Sequence, residues 1–389
     1  MSFSRRQFLI GVSASLSASG LLAACASDTN RSDGSVGTVP RLSGPSPTAV
    51  PAGWFMPAEE LDHERTWMCW PSSREIWGSD LADVQDAIIR IALAISAFEP
   101  VAMLARPDEV EPLGRMFGDN VEIIEAPVDD LWARDTLPAF LTRKDSGGAW
   151  ELAAGVVQFN GWGDKQTHDG DAQLAELVAE HLDVPVVDSG LTGEGGGLEI
   201  DGVGSVLAAE SSWVNDNRNP DRSRAEIEEA LLSLLGADRM IWVDGLAGAD
   251  ITDGHIDTLA RFASASVILV DKPAFDDVED PWVAVAARTK NQVADATTAD
   301  GSPYEVVEIV QPATPRGSGA SFLGTYMNYY VCNGAVIAPE FGDAAADAAA
   351  KVVLSELFPD REIVQLNIDA LAAGGGGIHC ATQQQPALI

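Results

Sequence analysis

From Trp54 onward, blocks with apolar residues at three- and four-residue spacing alternate with short apolar runs. Ile88, Ile89, Ile91, Ala92 and Ile95 form one such block, the buried face of a helix. The same spacing predicts helices over residues 81–97, 171–181, 222–235, 281–296 and 344–357. Each is followed by a strand-like run, at 101–105, 184–187, 240–243, 304–310 and 363–366. Hairpins precede the last three helices: 198–207 turning at Asp201-Gly202, 258–262 with 267–270, and 326–332 with 335–338 turning at Asn333-Gly334. The first two helices have weaker strands ahead of them, 66–70 and 152–159.

The pattern is therefore five β-β-α-β units, the first carrying an extra helix (108–116) and strand (121–125). One such unit cannot bury its own apolar face, so near-regular repetition predicts units packed radially or in line. An open doubly wound sheet is the competing α/β arrangement, but parallel βα alternation needs no hairpins.

The first 51 residues do not share this pattern. Ser4-Arg5-Arg6-Gln7-Phe8-Leu9 resembles a twin-arginine export signal, followed by a weakly apolar stretch too short and polar for a strong membrane span. Leu22-Ala23-Ala24-Cys25 resembles a lipobox, in which Cys25 becomes the lipidated first residue. Residues 26–51 are rich in Ser, Thr, Gly, Pro and Asp and read as a flexible tether. The expected organisation is a signal peptide at 1–25, a tether at 26–51 and a folded domain at 52–389, exported and held to the outer face of the membrane by lipid alone.

Composition narrows the partners. The chain has 389 residues, 24 basic against 59 acidic, for a formal charge of −35. That charge excludes a nucleic-acid binder of the usual basic kind and suits a small cationic ligand or a solvated acidic surface. Besides Cys25 there are Cys69, Cys332 and Cys380; an odd number leaves at least one thiol free. Cys69 and Cys332 sit within apolar runs and read as core.

Four segments carry candidate chemistry: Asp129-Asp130-Leu131-Trp132-Ala133-Arg134-Asp135-Thr136, Glu194-Gly195-Gly196-Gly197, Asp250 to Asp257, and Gly374 to Cys380. Glycine lets backbone approach a ligand closely. A thiol at Cys380 needs its pKa lowered to act as a nucleophile. His255 and Asp257, read as an extended strand, point to one face. The spacings of metal sites, of a nucleophile elbow and of a P-loop are absent. Taken together, Cys380, His255, Asp135, Glu194 and Asp257 make a pocket anionic except for histidine. Such a pocket suits a guanidinium, which matches carboxylates bidentately, better than a developing oxyanion. Trp70, Trp132 and Trp162 are candidates to stack on a planar cation.

These segments and their order resemble the agmatine deiminase and bacterial peptidylarginine deiminase family of the guanidine-modifying (pentein) superfamily. Supporting stretches are Thr66-Trp67-Met68-Cys69-Trp70-Pro71, Phe159-Asn160-Gly161-Trp162-Gly163, Asn217-Arg218-Asn219-Pro220 and Ile378-His379-Cys380-Ala381-Thr382-Gln383-Gln384-Gln385-Pro386. The resemblance implies a five-bladed α/β propeller with pseudo-fivefold symmetry and no cofactor. It implies Cys380 as nucleophile, His255 as general acid/base, Asp135 and Asp257 as the carboxylates that grip the guanidinium, and Glu194 as the residue that orients His255. The implied reaction is hydrolysis of a guanidine to a urea, with agmatine as first substrate. Deimination of peptidyl arginine is the second reading, and a non-catalytic polyamine-binding lipoprotein the third. The chain departs from the family pattern at Leu137-Pro138, Asp164, Thr252-Asp253 and Thr258, which puts the surroundings of the substrate's tail in question. No arginine stands near 158–163 to clamp a substrate carboxylate, which favours an amine-tailed ligand. No interface for an oligomer is legible.

Overall fold

A computed structural model describes residues 53–388; the expected signal, its Cys25 and the whole of the expected tether lie outside them. The strands are β1 (His63–Cys69), β2 (Val101–Ala105), β3 (Val121–Glu125), β4 (Ala139–Lys144), β5 (Trp150–Gln158), β6 (Val186–Thr192), β7 (Leu198–Ile200) and β8 (Ser205–Ala209). They continue as β9 (Arg239–Val243), β10 (Ala260–Ser264), β11 (Val267–Lys272), β12 (Glu305–Val310), β13 (Tyr330–Cys332), β14 (Ala335–Glu340), β15 (Glu362–Asn367) and β16 (Gln383–Pro386).

These make five sheets, ordered β16-β1-β2-β3, β4-β5-β6, β7-β8-β9, β10-β11-β12 and β13-β14-β15. In every sheet two strands pair antiparallel and the second pairs parallel with a third across a helix. Parallel pairing requires such a crossover. The five crossover helices are Leu81–Ser96, Leu174–Leu182, Arg224–Leu235, Pro281–Ala294 and Ala344–Leu357. The expected pentein-type architecture of five ββαβ units is the one observed.

The first unit is completed from the far end of the chain. Its hairpin partner is β16, paired antiparallel to β1 with Thr66 opposite Gln384 and Trp67 opposite Gln383. Periodicity could not reveal this strand, because Gln383-Gln384-Gln385 carries no apolar face. These glutamines are buried because they find partners: Trp67 Nε1 donates to Gln385 Oε1 at 2.9 Å and an Arg134 guanidinium nitrogen to Gln384 Oε1 at 2.8 Å. The other strand missing from the pattern is β4, which pairs with β5 from Ala139 opposite Gly155 to Lys144 opposite Trp150.

The helices bury the faces their spacing marks. In Leu81–Ser96 these are Leu81, Val84, Ala87, Ile88, Ile91, Ala92 and Ile95. Helix Arg224–Leu235 begins in a capping box, in which Ser223 and Glu226 satisfy each other's backbone N–H groups, and ends at Gly236 in the left-handed region. Cys69 and Cys332 are buried and free, in the core as expected; Cys380 is also free. His63 is buried on β1 with Nδ1 3.1 Å from Glu99. No helix among the described residues is long and apolar enough to cross a membrane.

Candidate active site

Each connection from one sheet to the next brings at least one side chain to the same place. Between β3 and β4 a short helix, Ala133–Thr136, carries Asp135. Between β6 and β7, Glu194 stands ahead of the turn Gly195–Gly197. Between β9 and β10, His255 precedes the turn Ile256–Thr258. Between β12 and β13 lies Asn328, and between β15 and β16 Cys380.

The chain at His255 corrects one expectation. Residues 255–257 are not an extended strand: His255 is extended, but Ile256–Thr258 is a 3-10 turn. Thr258 Oγ1 donates to the His255 carbonyl at 2.9 Å and closes the turn. His255 and Asp257 still face one cavity, of about 190 Å³, also lined by Asp135 and Cys380.

Asp135 is fixed by Trp162 Nε1, which donates to Oδ2 at 3.0 Å, and by the Gly196 N–H, which donates to Oδ1 at 2.9 Å. Gly196 must lack a side chain, since a Cβ would lie 2.6 Å from His255 Nδ1 and 2.8 Å from Asp135 Oδ1. His255 is enclosed by acids: Nε2 is 3.3 Å from Glu194 Oε2 and Nδ1 is 3.8 Å from Asp135 Oδ1. Burial alone would lower its pKa, but Asp135, Glu194 and Asp257 together raise it to about 9. Glu194 is held by the Arg218 Nε at 2.8 Å, and Arg218 is held by Asp253 at 2.6 Å. The Asp253 that departs from the family pattern thus lies behind His255 as an ion-pair partner and does not line the cavity.

Cys380 is 8% exposed. Asn328 Nδ2 donates to its Sγ at 3.1 Å and to Asp257 Oδ2 at 3.0 Å, while Asn328 Oδ1 accepts the Cys380 N–H at 3.2 Å. Burial, then Asp257 and Asp135, push the thiol well above its ordinary pKa. Cys380 is thus pressed toward the neutral thiol and His255 toward the imidazolium. Asp257 Oδ1 has no hydrogen-bond partner although it is buried. An acceptor left open in this way is costly unless a ligand donor completes it.

Of the three candidate tryptophans, Trp132 and Trp162 line the cavity. Trp70 does not: it lies at the end of β1 within the apolar core, 3% exposed. Its place is taken by Trp77, on the helix Arg74–Trp77 just beyond. Trp77 and Trp132 both donate indole N–H groups to buried Asp130, at 2.7 and 3.0 Å, so a carboxylate pins two walls of the cavity. Asp130 stands in one of the four candidate segments without a role of its own, and no local pattern marks Trp77 or Asn328 for the site. Asn328 left one trace, a lone amide within Tyr326-Met327-Asn328-Tyr329-Tyr330. Asp130, Asp135, Asp250 and Asp257 line the cavity, and among the described residues no lysine or arginine does. Among the described residues, no cluster of three His, Cys, Asp or Glu is arranged to hold a metal.

The chain is similar in sequence and fold to proteins named agmatine deiminase and peptidyl-arginine deiminase. The Porphyromonas-type peptidyl-arginine deiminase family matches residues 55–386. A putative agmatine deiminase of Legionella pneumophila is 37% identical over 343 residues, covering 86% of this chain and 96% of its own. Agmatine deiminase of Medicago truncatula is 34% identical, covering 86% and 97%. The solved agmatine deiminase of Enterococcus faecalis superposes with a TM-score of 0.81 at 27% identity, over 88% of this chain and 99% of its own. This chain belongs to the Porphyromonas-type peptidyl-arginine deiminase family.

Proposed function

We propose that the protein hydrolyses agmatine to N-carbamoylputrescine and ammonia through a covalent intermediate on Cys380. The observation that carries this is a thiol at an anionic, tryptophan-walled cavity with one buried carboxylate oxygen unpaired and no basic residue in the lining. A guanidinium supplies the missing donors to Asp257 and Asp135. A substrate carboxylate, as on free arginine or a peptide C-terminus, finds no lysine or arginine among the described residues of the lining. The named relatives, agmatine deiminases of plant and bacterial origin, support the same substrate.

The reaction follows from the charges. The bound cation offsets Asp135 and Asp257, the groups that keep the Cys380 thiol neutral, and so lowers its pKa. The Cys380 thiol releases its proton to solvent as the cation binds, and the thiolate adds to the guanidinium carbon; the sulfur regains a proton when it is expelled in the last step. His255, protonated at rest, gives its proton to one departing nitrogen, which leaves as ammonia. The thioether carbon is then attacked by water, whose proton His255 takes. Collapse expels the Cys380 sulfur and leaves the ureido product. Trp77, Trp132 and Trp162 stack on or enclose the planar cation.

The test is ammonia and ureido-product release from the purified protein offered agmatine, free arginine or a peptide ending in arginine, with Cys380→Ala as control. Turnover of agmatine is expected, falling by at least about 10³-fold in the variant. Turnover of the peptide in preference to agmatine would overturn the substrate, and no turnover of any would leave a binding protein.

Export and lipid anchoring at Cys25 complete the proposal, supported by the twin-arginine and lipobox patterns. The full chain is expected in the membrane fraction and Cys25→Ala in the soluble one. Equal distribution of the two would remove the anchor from the reading.

A further inference from the structure

Behind the cavity lies a buried charged cluster that the reaction above leaves unused. His379, 1% exposed, directly precedes Cys380 and bridges two carboxylates: Nδ1 is 2.8 Å from Asp257 Oδ2 and Nε2 is 2.9 Å from Glu59 Oε2. Glu59 is also 3.2 Å from Arg134 and 3.1 Å from Arg261, and accepts the Val331 N–H at 3.0 Å. Arg261 pairs with Glu199 at 2.6 Å and lies over the Tyr329 ring at 4.3 Å. A carboxylate only accepts, so a ring between two of them must donate from both nitrogens. The charges require the same. Asp257, Glu59 and Glu199 are three acids, Arg134 and Arg261 two cations. A ring donating twice supplies the third, leaving no net charge to bury.

We propose that His379 is a positioning residue that donates from both ring nitrogens, bridging Glu59 to Asp257 and holding Asp257 as a carboxylate with Oδ1 free for the guanidinium. The assignment rests on the guanidine-hydrolase reading of the site. Groups facing Asp257 come from four directions: His379 and Cys380 from the connection ahead of β16, Arg261 from β10, His255 from its own turn, and Asp135 from the connection ahead of β4. Burial would raise the Asp257 pKa, but His379 most strongly, then His255 and Arg261, hold it below its ordinary value. Removing His379 deletes the strongest of these supports. The carboxylate is then lost at a higher pH as the solution is acidified.

The experiment compares pH profiles of agmatine kcat/KM for the unaltered protein, His379→Asn and Glu59→Gln. In His379→Asn the acid limb is expected to move up by about one pH unit or more, with KM rising about tenfold below it and kcat changing less. Glu59→Gln keeps an acceptor oxygen for Nε2 and is expected to shift the limb less. An unmoved acid limb, with only thermal stability and kcat reduced, would make His379 a packing residue and overturn the proposal. If His379→Asn fails to fold, or if the unaltered protein turns over no guanidine, ¹⁵N-histidine NMR of the unaltered protein decides. Two protonated nitrogens on the His379 ring at neutral pH support the bridge, and one overturns it. Failure of the guanidine reading is seen separately, in the unaltered protein's lack of turnover.

Discussion

At the residue scale the site is a set of ionisations pushed apart by their surroundings. His255 is pressed toward its charged form by Asp135, Glu194 and Asp257, and Cys380 is pressed toward its neutral form by burial and by Asp257 and Asp135. An imidazolium and a neutral thiol are thus favoured side by side in charge terms, and in the proposed reaction a bound cation offsets the acids that hold the thiol neutral. The raised histidine has a pH signature. Its proton is present below about 9 and lost as pH rises through that value, so the alkaline limb of kcat/KM is expected near pH 9. The same sign applies to stability. The attraction between the imidazolium and its carboxylates is fully present below the unfolded pKa and fades as pH rises through about 9. Rates measured across the alkaline range check this, and a limb near the ordinary histidine value would mean that the acids do not hold His255 charged. In Asp135→Asn the limb should fall, because the leading support is gone.

At the element scale, function sits on the connections while the repeated units carry stability. The sequence made the crossover helices legible because an apolar stripe is a local signal, as in Val84, Ile88, Ile91 and Ile95. It made Cys380, His255, Asp135 and Glu194 legible by their glycine and carboxylate neighbours. It did not reveal Asn328, because an amide bonding a thiol and a carboxylate from two other connections leaves no local pattern. Trp70 and Trp77 show the same limit. Both are tryptophans near β1, and only the path of the chain after Pro71 decides which meets the cavity. The strand expected at 326–332 begins only at Tyr330, since the preceding residues turn to deliver Asn328. The turn Gly195–Gly197 offers a test. A methyl added at Gly196 would overlap His255 and Asp135 at once. Gly196→Ala is therefore expected to lower kcat/KM by about 10²-fold or more. Activity retained within a few-fold would show that the turn can move aside.

At the scale of the whole molecule, the first and last of the described strands meet in one sheet. The polar strand β16 supplies the antiparallel partner of β1, and its glutamines satisfy Trp67 and buried Arg134. The segment that carries Cys380 runs directly into this strand, and the Arg134 N–H donates to the Cys380 carbonyl at 3.1 Å. Closure of the first sheet and placement of Cys380, the proposed nucleophile, are thus one structural event. Two rearrangements separate that idea from a merely decorative tail. Deleting residues 383–389 keeps every proposed catalytic residue but leaves β1 an unpaired edge and the Arg134 guanidinium short of a buried acceptor, a loss of several kcal/mol by the usual cost of such groups, about 1–3 kcal/mol each and more when charged. That variant is expected to lose both cooperative unfolding and activity. Joining residue 388 to residue 53 through a flexible Gly/Ser linker, and opening the exposed β4–β5 turn at Asp145–Gly148, keeps the β16–β1 pairing while moving both ends elsewhere. This permuted chain is expected to unfold cooperatively and to turn over agmatine within a few-fold of the original. Thermal unfolding and kcat/KM of the pair decide the matter: an active truncation, or an inactive but folded permutant, would mean that the nucleophile is held by something other than the strand that follows it.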